Sequence, residues 1–310
     1  MHIGIAGEVR CVVTGIDGAA KIDTGFQKNL ILNQGLDFFG GGKGSFINER
    51  CAIGSGNSTP TITQTKLDAF LALASGSDTT SDYSYVDEGD GLYKMWEQKK
   101  YRFTGLDNVN ISELGLVSTG STSENYFLTT RVLIKDSSGT PTSIGLKLGE
   151  TLDIYYKIHK VVDITDKSFV INILDGNGGS VPYNAIIRAQ DVGSSYNKVS
   201  ETGSSFGIHT STSDLSLITS SGDNSGSYAA SFSNYVTGSY KVQANLALGL
   251  DQSNKPIRTI KNRIVNYSYA LFPFQMRLGR VSDDAPLTKT NKDTLSIPLE
   301  FSWGRYEGNL

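Results

Sequence analysis

Two stretches of this chain alternate apolar and polar residues with a strict period of two. From 295 to 304, Leu295, Ile297, Leu299, Phe301 and Trp303 fall on one side of an extended backbone and Ser296, Pro298, Glu300, Ser302 and Gly304 on the other. From 151 to 160, Leu152, Ile154, Tyr156 and Ile158 oppose Asp153, Tyr155, Lys157 and His159. A helix would scatter either set around its circumference, so both stretches read as half-buried strands, with His159 facing solvent. Pro298 has no N–H to give to a ladder, which puts the last strand at an edge or turns that position outward.

Similar runs recur with turn chemistry between them. Residues 3–15 and 19–26 flank Asp17-Gly18, a hairpin signal. Residues 126–135 lead through Asp136-Ser-Ser-Gly139 and Pro141 toward 151–160, which predicts a hairpin or meander pair. Residues 168–174 end at Asp175-Gly-Asn-Gly-Gly179 with 181–189 as the expected partner, and 239–250 turn at 251–256 to return through 257–264. Helical spacing occurs twice: in 30–39, where Leu32, Leu36 and Phe39 recur before Gly40, and in 63–74, where Leu67, Phe70, Leu71 and Ala74 precede Gly76. Residues 191–234, rich in Ser, Thr, Gly, Asn and Asp, read as loops and short strands. The whole predicts an all-β, mainly antiparallel chain. Residues 1–162 form a β-sandwich domain with short helices, and 163–310 a second β-rich domain or insertion from which strand 295–303 can return to the first.

The charge balance bears on partners. With 28 Lys and Arg against 31 Asp and Glu, the net charge of -3 offers no basic stripe for nucleic acid. No window approaches the apolar length of a membrane helix, and the N-terminal residues lack a secretory pattern, so synthesis in the cytoplasm is expected. Cys11 and Cys51 read as reduced and buried.

Motifs for chemistry are incomplete. Gly40-Gly-Gly-Lys-Gly-Ser45 lacks the phosphate-loop pattern, because Gly44 follows the lysine and Asp37 stands where the first glycine belongs. Asp175-Gly-Asn-Gly-Gly179 lacks the later ligands of a calcium loop and reads as a turn. His2, His159 and His209 are too far apart for a ligand cluster, and no Gly-x-Ser-x-Gly box occurs. Glu113 reads as structural, accepting backbone hydrogen bonds at a sheet end; an acid/base role would need a second carboxylate at a set distance. The aromatics Tyr83, Tyr85, Tyr93, Trp96 and Tyr101, and Tyr183, Tyr196, Tyr228, Tyr235 and Tyr240, suit core strands first, and protein interfaces or a sugar surface second. No catalytic, cofactor-binding or metal-binding residue is assigned, and no cofactor is expected.

Five ordered boxes carry a resemblance. They are Asn29-Leu-Ile-Leu-Asn-Gln-Gly-Leu-Asp37; Cys51-Ala-Ile-Gly-Ser-Gly-Asn-Ser-Thr-Pro60 with Thr63-Gln-Thr-Lys-Leu67; Ile111-Ser-Glu-Leu-Gly-Leu116; Arg131-Val-Leu-Ile134; and Leu148-Gly-Glu-Thr-Leu-Asp-Ile-Tyr-Tyr156. Together they resemble tail-associated structural proteins of tailed bacteriophages over roughly residues 25–162, with a weaker echo at the C-terminus. The resemblance implies a non-enzymatic virion component of the tail, baseplate, collar or fibre attachment. It also implies other tail proteins as partners and self-association as a trimer or hexamer; the residues themselves offer contact material in the aromatic span 83–101 and in the apolar strand 3–13, which is expected to add to a neighbour's sheet edge. A receptor- or carbohydrate-binding tail protein that meets host surface glycan is the alternative, and a glycan depolymerase the third class.

Overall fold

The computed structural model describes residues 2–40, 47–120, 125–175, 177–194, 204–222, 227–267 and 272–310. These residues are almost entirely strands, with the six-residue Asn33–Phe38 as the α-helix among them. None of them forms a helix long and apolar enough to cross a membrane.

The strand His2–Thr14 is the hub. Ile3, Ile5, Val9, Cys11 and Val13 are buried on its inward face. One edge pairs with Thr151–Asp163 from Ile3↔Val162 to Thr14↔Thr151. Three partners share the other edge: residues 302–305 of Leu295–Arg305 in parallel, then Gln27–Ile31 and Ala20–Asp23, both antiparallel. The Asp17-Gly18 turn delivers the last of these, with Gly18 at φ +80.

From the hub the ladder passes through Thr151–Asp163, Leu92–Phe103, Phe70–Asp82, Arg50–Gly54, Glu113–Gly120, Thr130–Leu133 and Gln27–Ile31, and returns to His2–Thr14. This is a closed, barrel-like ring of eight antiparallel strands. The all-β, mainly antiparallel class holds, and the walls expected as two layers are joined into one surface. A second sheet starts from the same hub. It runs through Leu295–Arg305, Lys241–Leu248, Ser227–Phe232, Ser204–Ser211, Thr259–Tyr267, Phe274–Arg280 and Ser180–Ala189, and stops at Lys167–Leu174. One apolar core is continuous across both sheets: the rings of Tyr93 and Phe272 meet at 5.8 Å and those of Phe274 and Phe301 at 5.6 Å.

The ring interior is not wholly apolar. Asn29 reaches the Tyr156 hydroxyl, which also shares a hydrogen bond of 2.5 Å with Thr130 Oγ1. Gly7 lies against Asn29, and any Cβ there would overlap the amide. The Tyr101 hydroxyl donates to the Asn48 carbonyl at 2.5 Å, and Asn48 Nδ2 donates to Glu97 at 3.1 Å. Lys160 stands opposite Ile5 and Met95, both fully buried, so it shares their inward face. Burial pushes its ammonium down to about 8, against the pull of Glu97.

Several expectations change. Residues 63–74 are not a helix: the amides of Asp68 and Ala69, which would serve helical bonds, donate to Glu113, and from Phe70 the chain is a strand between two partners. The helix expected over 30–39 is confined to Asn33–Phe38, because Gln27–Ile31 is drawn into the ring. Residues 126–135 pair with Glu113–Gly120 and Gln27–Ile31 instead of with 151–160, whose two edges the hub and Leu92–Phe103 occupy. Lys241–Leu248 pairs with Leu295–Arg305 and not with 257–264, which joins Ser204–Ser211. His159 does lie on the outward face but is buried, its Nε2 3.0 Å from Glu8. The strand 3–13, expected at a neighbour's sheet edge, has both its own edges filled. Elsewhere the pattern reads true: the hairpin Lys167–Leu174 with Ser180–Ala189 forms, and Leu295–Arg305 alternates buried and exposed with Pro298 turned out. Residues 41–46 of the glycine-rich stretch, and Tyr196, lie outside the described residues.

Two outcomes follow. Gly7→Ala should lower stability by about 1–3 kcal/mol through overpacking against Asn29, read from urea unfolding. For Lys160 the folded pKa is below the unfolded one, so its contribution is full above about 10.5 and is lost as pH falls through about 8. The stability difference between wild type and Lys160→Met should therefore shift in favour of wild type as pH rises from 8 to 10.5. A flat difference across that window refutes the buried charge.

Candidate functional site: a buried clamp where the sequence boxes meet

Glu113 begins the strand Glu113–Gly120 and is fully buried. Its Oε1 accepts the backbone N–H of Gly56 at 3.0 Å and of Ala69 at 2.8 Å. Its Oε2 accepts the N–H of Asp68 at 3.2 Å and Nε of Arg131 at 2.8 Å. Arg131, on Thr130–Leu133, is also fully buried. Its Nη2 lies 2.8 Å from Glu113 and 2.7 Å from Asp68 Oδ2, while Nη1 donates to Gln64 Oε1 at 2.7 Å and Ser58 Oγ at 3.3 Å. A strand residue as polar as arginine is tolerated inside only when its donors are met, and here every nitrogen has an acceptor. Asp68 is held below the usual carboxylate range by the Ser58 hydroxyl first, with Arg131 adding to it and burial opposing.

The clamp fixes the segment 55–69, whose neck is closed by the Ser55 N–H on the Ala69 carbonyl at 2.8 Å. That segment covers a small second core of Leu32, Ala52, Leu67, Val117, Tyr126 and Leu128 on the outside of the ring wall. The Leu67 N–H donates to the Tyr126 hydroxyl at 2.8 Å, and the Asn33 N–H to the Ile62 carbonyl at 2.8 Å.

Each box has a physical task here. Gly54 and Gly56 let backbone wrap the Glu113 carboxylate, where a Cβ would collide with it. Gly115 and Gly35 give the same clearance to the carbonyls of Thr130 and Thr129. Asn33 Oδ1 accepts from Arg305 at 2.5 Å, and Asp37 accepts from the Tyr235 hydroxyl at 2.5 Å and the Gly238 N–H at 2.7 Å, so the first box also receives the C-terminal half. Trp303 Nε1 donates to the Leu36 carbonyl at 2.8 Å. In the last box Gly149 takes φ +84 and Glu150 accepts the Lys147 N–H at 3.0 Å, a turn that launches Thr151–Asp163.

Glu113 thus accepts backbone hydrogen bonds at a strand end, as its box suggested. The second carboxylate that acid/base chemistry would require is present as Asp68, yet a guanidinium stands between the two and occupies both. In the sequence Arg131, Gln64 and Ser58 stand within the boxes with no role assigned, and Asp68 stands outside them; the available signal is a lone charge at the head of the apolar run 131–134, which demands a buried counter-charge. Most of the described aromatics pack inward: Tyr93, Tyr101 and Tyr183 are buried, and Tyr235 stacks on Trp303 at 5.7 Å. Trp96 and Phe26 instead flank Lys157 on the outer wall, 4.6 and 4.2 Å from its Nζ. Cys11 and Cys51 are buried free thiols, and burial pushes Cys11 up to about 12, which keeps it protonated and inert. Among the described residues no group of three or more His, Cys, Asp or Glu is placed to hold a metal.

Two clefts flank the strand Gln27–Ile31, of about 230 and 480 Å³, and both are lined by Lys28, Asn29 and Leu30. The larger is also lined by Pro60, Leu133 and Pro141, apolar groups beside the clamp.

Glu113→Gln should cost about 3–5 kcal/mol, since it leaves Arg131 buried with one charge partner fewer, and proteolysis should then begin within 55–69. Arg10→Ala, at the exposed pair with Asp23, should change stability by less than about 1 kcal/mol in the same denaturation assay.

Comparison with protein-family models, with curated proteins and with solved structures gave no match.

Proposed function

We propose that this chain is a non-enzymatic structural component of a bacteriophage tail, a baseplate, collar or fibre-attachment protein that works through protein–protein assembly. The observation that carries this reading is the convergence of the boxes: residues spread from Gly56 to Arg131 meet in one saturated clamp, and Asn33 of the first box binds both the segment it holds and the C-terminal half, so the motif preserves a rigid shape rather than a reacting centre. A carboxylate whose oxygens already accept four donors has little left with which to move a proton. The clefts beside Gln27–Ile31 offer concave, largely apolar seats for another tail protein, next to a segment that the clamp holds still. Partners on this reading are other tail proteins and further copies of the chain.

Electron microscopy of virions labelled with an antibody to this protein tests the reading. Label on the tail is expected, and its position separates collar, baseplate and fibre. Label elsewhere, or release of sugar from host polysaccharide by the purified protein, overturns it.

A further inference from the structure

Open sheet edges invite other strands, and proteins ordinarily block them. The edges in this fold are blocked in recognisable ways. Ala20–Asp23 is four residues long and carries Lys21 and Asp23; Tyr126–Leu128 is three residues long; the single-partnered half of Leu295–Arg305 contains Pro298. Lys167–Leu174 has none of these devices. It is eight residues long, without proline or bulge, its one charge is Lys167 at the start, and among the described residues it pairs only with Ser180–Ala189. Phe169, Val170 and Leu174 are 42%, 57% and 75% exposed.

The ladder shows which backbone groups are open. The Asp175 N–H donates to the Gly179 carbonyl at 3.0 Å, and the Val281 N–H to the Pro182 carbonyl at 3.0 Å. Odd residues of this strand therefore turn their N–H and C=O toward Ser180–Ala189, and Ser168, Val170, Asn172 and Leu174 turn theirs to the free side.

We propose that this edge is completed by the same strand of a second copy, antiparallel about a two-fold axis through Ile171. In that register Ser168 faces Leu174 and Val170 faces Asn172, so all four open residues of each chain find backbone partners. Phe169 comes opposite Ile173 on the core side, extending the apolar layer in which Ile171 and Ile173 already lie. Lys167, which within one chain pairs with Asp163 at 2.6 Å, comes opposite Asp175 at both ends, a charge match that shifting the strands by two residues in either direction loses. A contact of this kind is self-complementary, so it joins chains in even numbers. It names a self-association surface for the tail reading but rests on the strand's own geometry.

Sedimentation of the full chain should show the dimer, and Ile171→Cys tests the register. Facing residues at a non-hydrogen-bonded position are about 4.5 Å apart at Cα, within reach of a disulfide. Phe169→Cys would lie about 13 Å from its own copy and should not cross-link. Under mild oxidation Ile171→Cys should give a covalent dimer and Phe169→Cys should not; Cys11 and Cys51 are buried and do not compete. A chain that stays monomeric at high concentration, or equal cross-linking by the two variants, overturns the proposal. Either result leaves antibody labelling of the tail as it was.

Discussion

A strand inside a closed sheet must satisfy backbone donors and acceptors along both edges, and the strand His2–Thr14 does so with four different partners. That requirement organises the chain. The ring closes only because Thr151–Asp163 takes one edge of the hub over its whole length while Gln27–Ile31 bridges the other to Thr130–Leu133. The second sheet exists as an extension because residues 302–305 find the remaining stretch at His2–Ile5. The wall and its extension thus share one strand and one core.

The clamp at Glu113 and Arg131 solves a different problem. Segment 55–69 is mostly polar and has little apolar surface of its own, so hydrophobic burial alone would hold it weakly. Charge-assisted hydrogen bonds in a dry setting supply the missing constraint, and their directionality fixes the segment's shape as well as its attachment. The glycines around the carboxylate are the geometric condition for this: backbone amides approach closely only where no Cβ intervenes.

Much of this was legible in the sequence. The alternation in 151–160 and 295–304, the Asp17-Gly18 and Asp175-Gly-Asn-Gly-Gly179 turns, and the thiols' burial all follow from local periodicity and residue chemistry. Pairing was less legible, because a strand's pattern says that a partner exists without saying which. The nearest earlier strand is the natural partner for 151–160 on sequence grounds, whereas the hub that pairs with it lies about 140–160 residues upstream. The helix expected over 63–74 shows the same limit: Leu67, Phe70, Leu71 and Ala74 do keep helical spacing, but Glu113, some 45 residues later, captures the amides. At the clamp, Glu113 was legible as a backbone acceptor; its counter-charge and the second carboxylate were not, since long-range ion pairing leaves no periodic trace. Alternation puts His159 on the right face but says nothing of what covers that face, where the imidazole is buried against Glu8.

The position of the hub bears on how the chain is made. Residues 2–14 emerge from the ribosome long before 151–163 and 302–305, and at about 5–20 residues per second the last partner arrives roughly 15–60 s later. Thr151–Asp163, the last strand of the ring in chain order, is complete about halfway through that interval, so the ring can close over the apolar face of Ile3, Ile5, Val9, Cys11 and Val13 before the second sheet exists. Until residues 302–305 arrive, the edge of His2–Ile5 that they will occupy stays open, and that short stretch is what a nascent chain must keep from other strands.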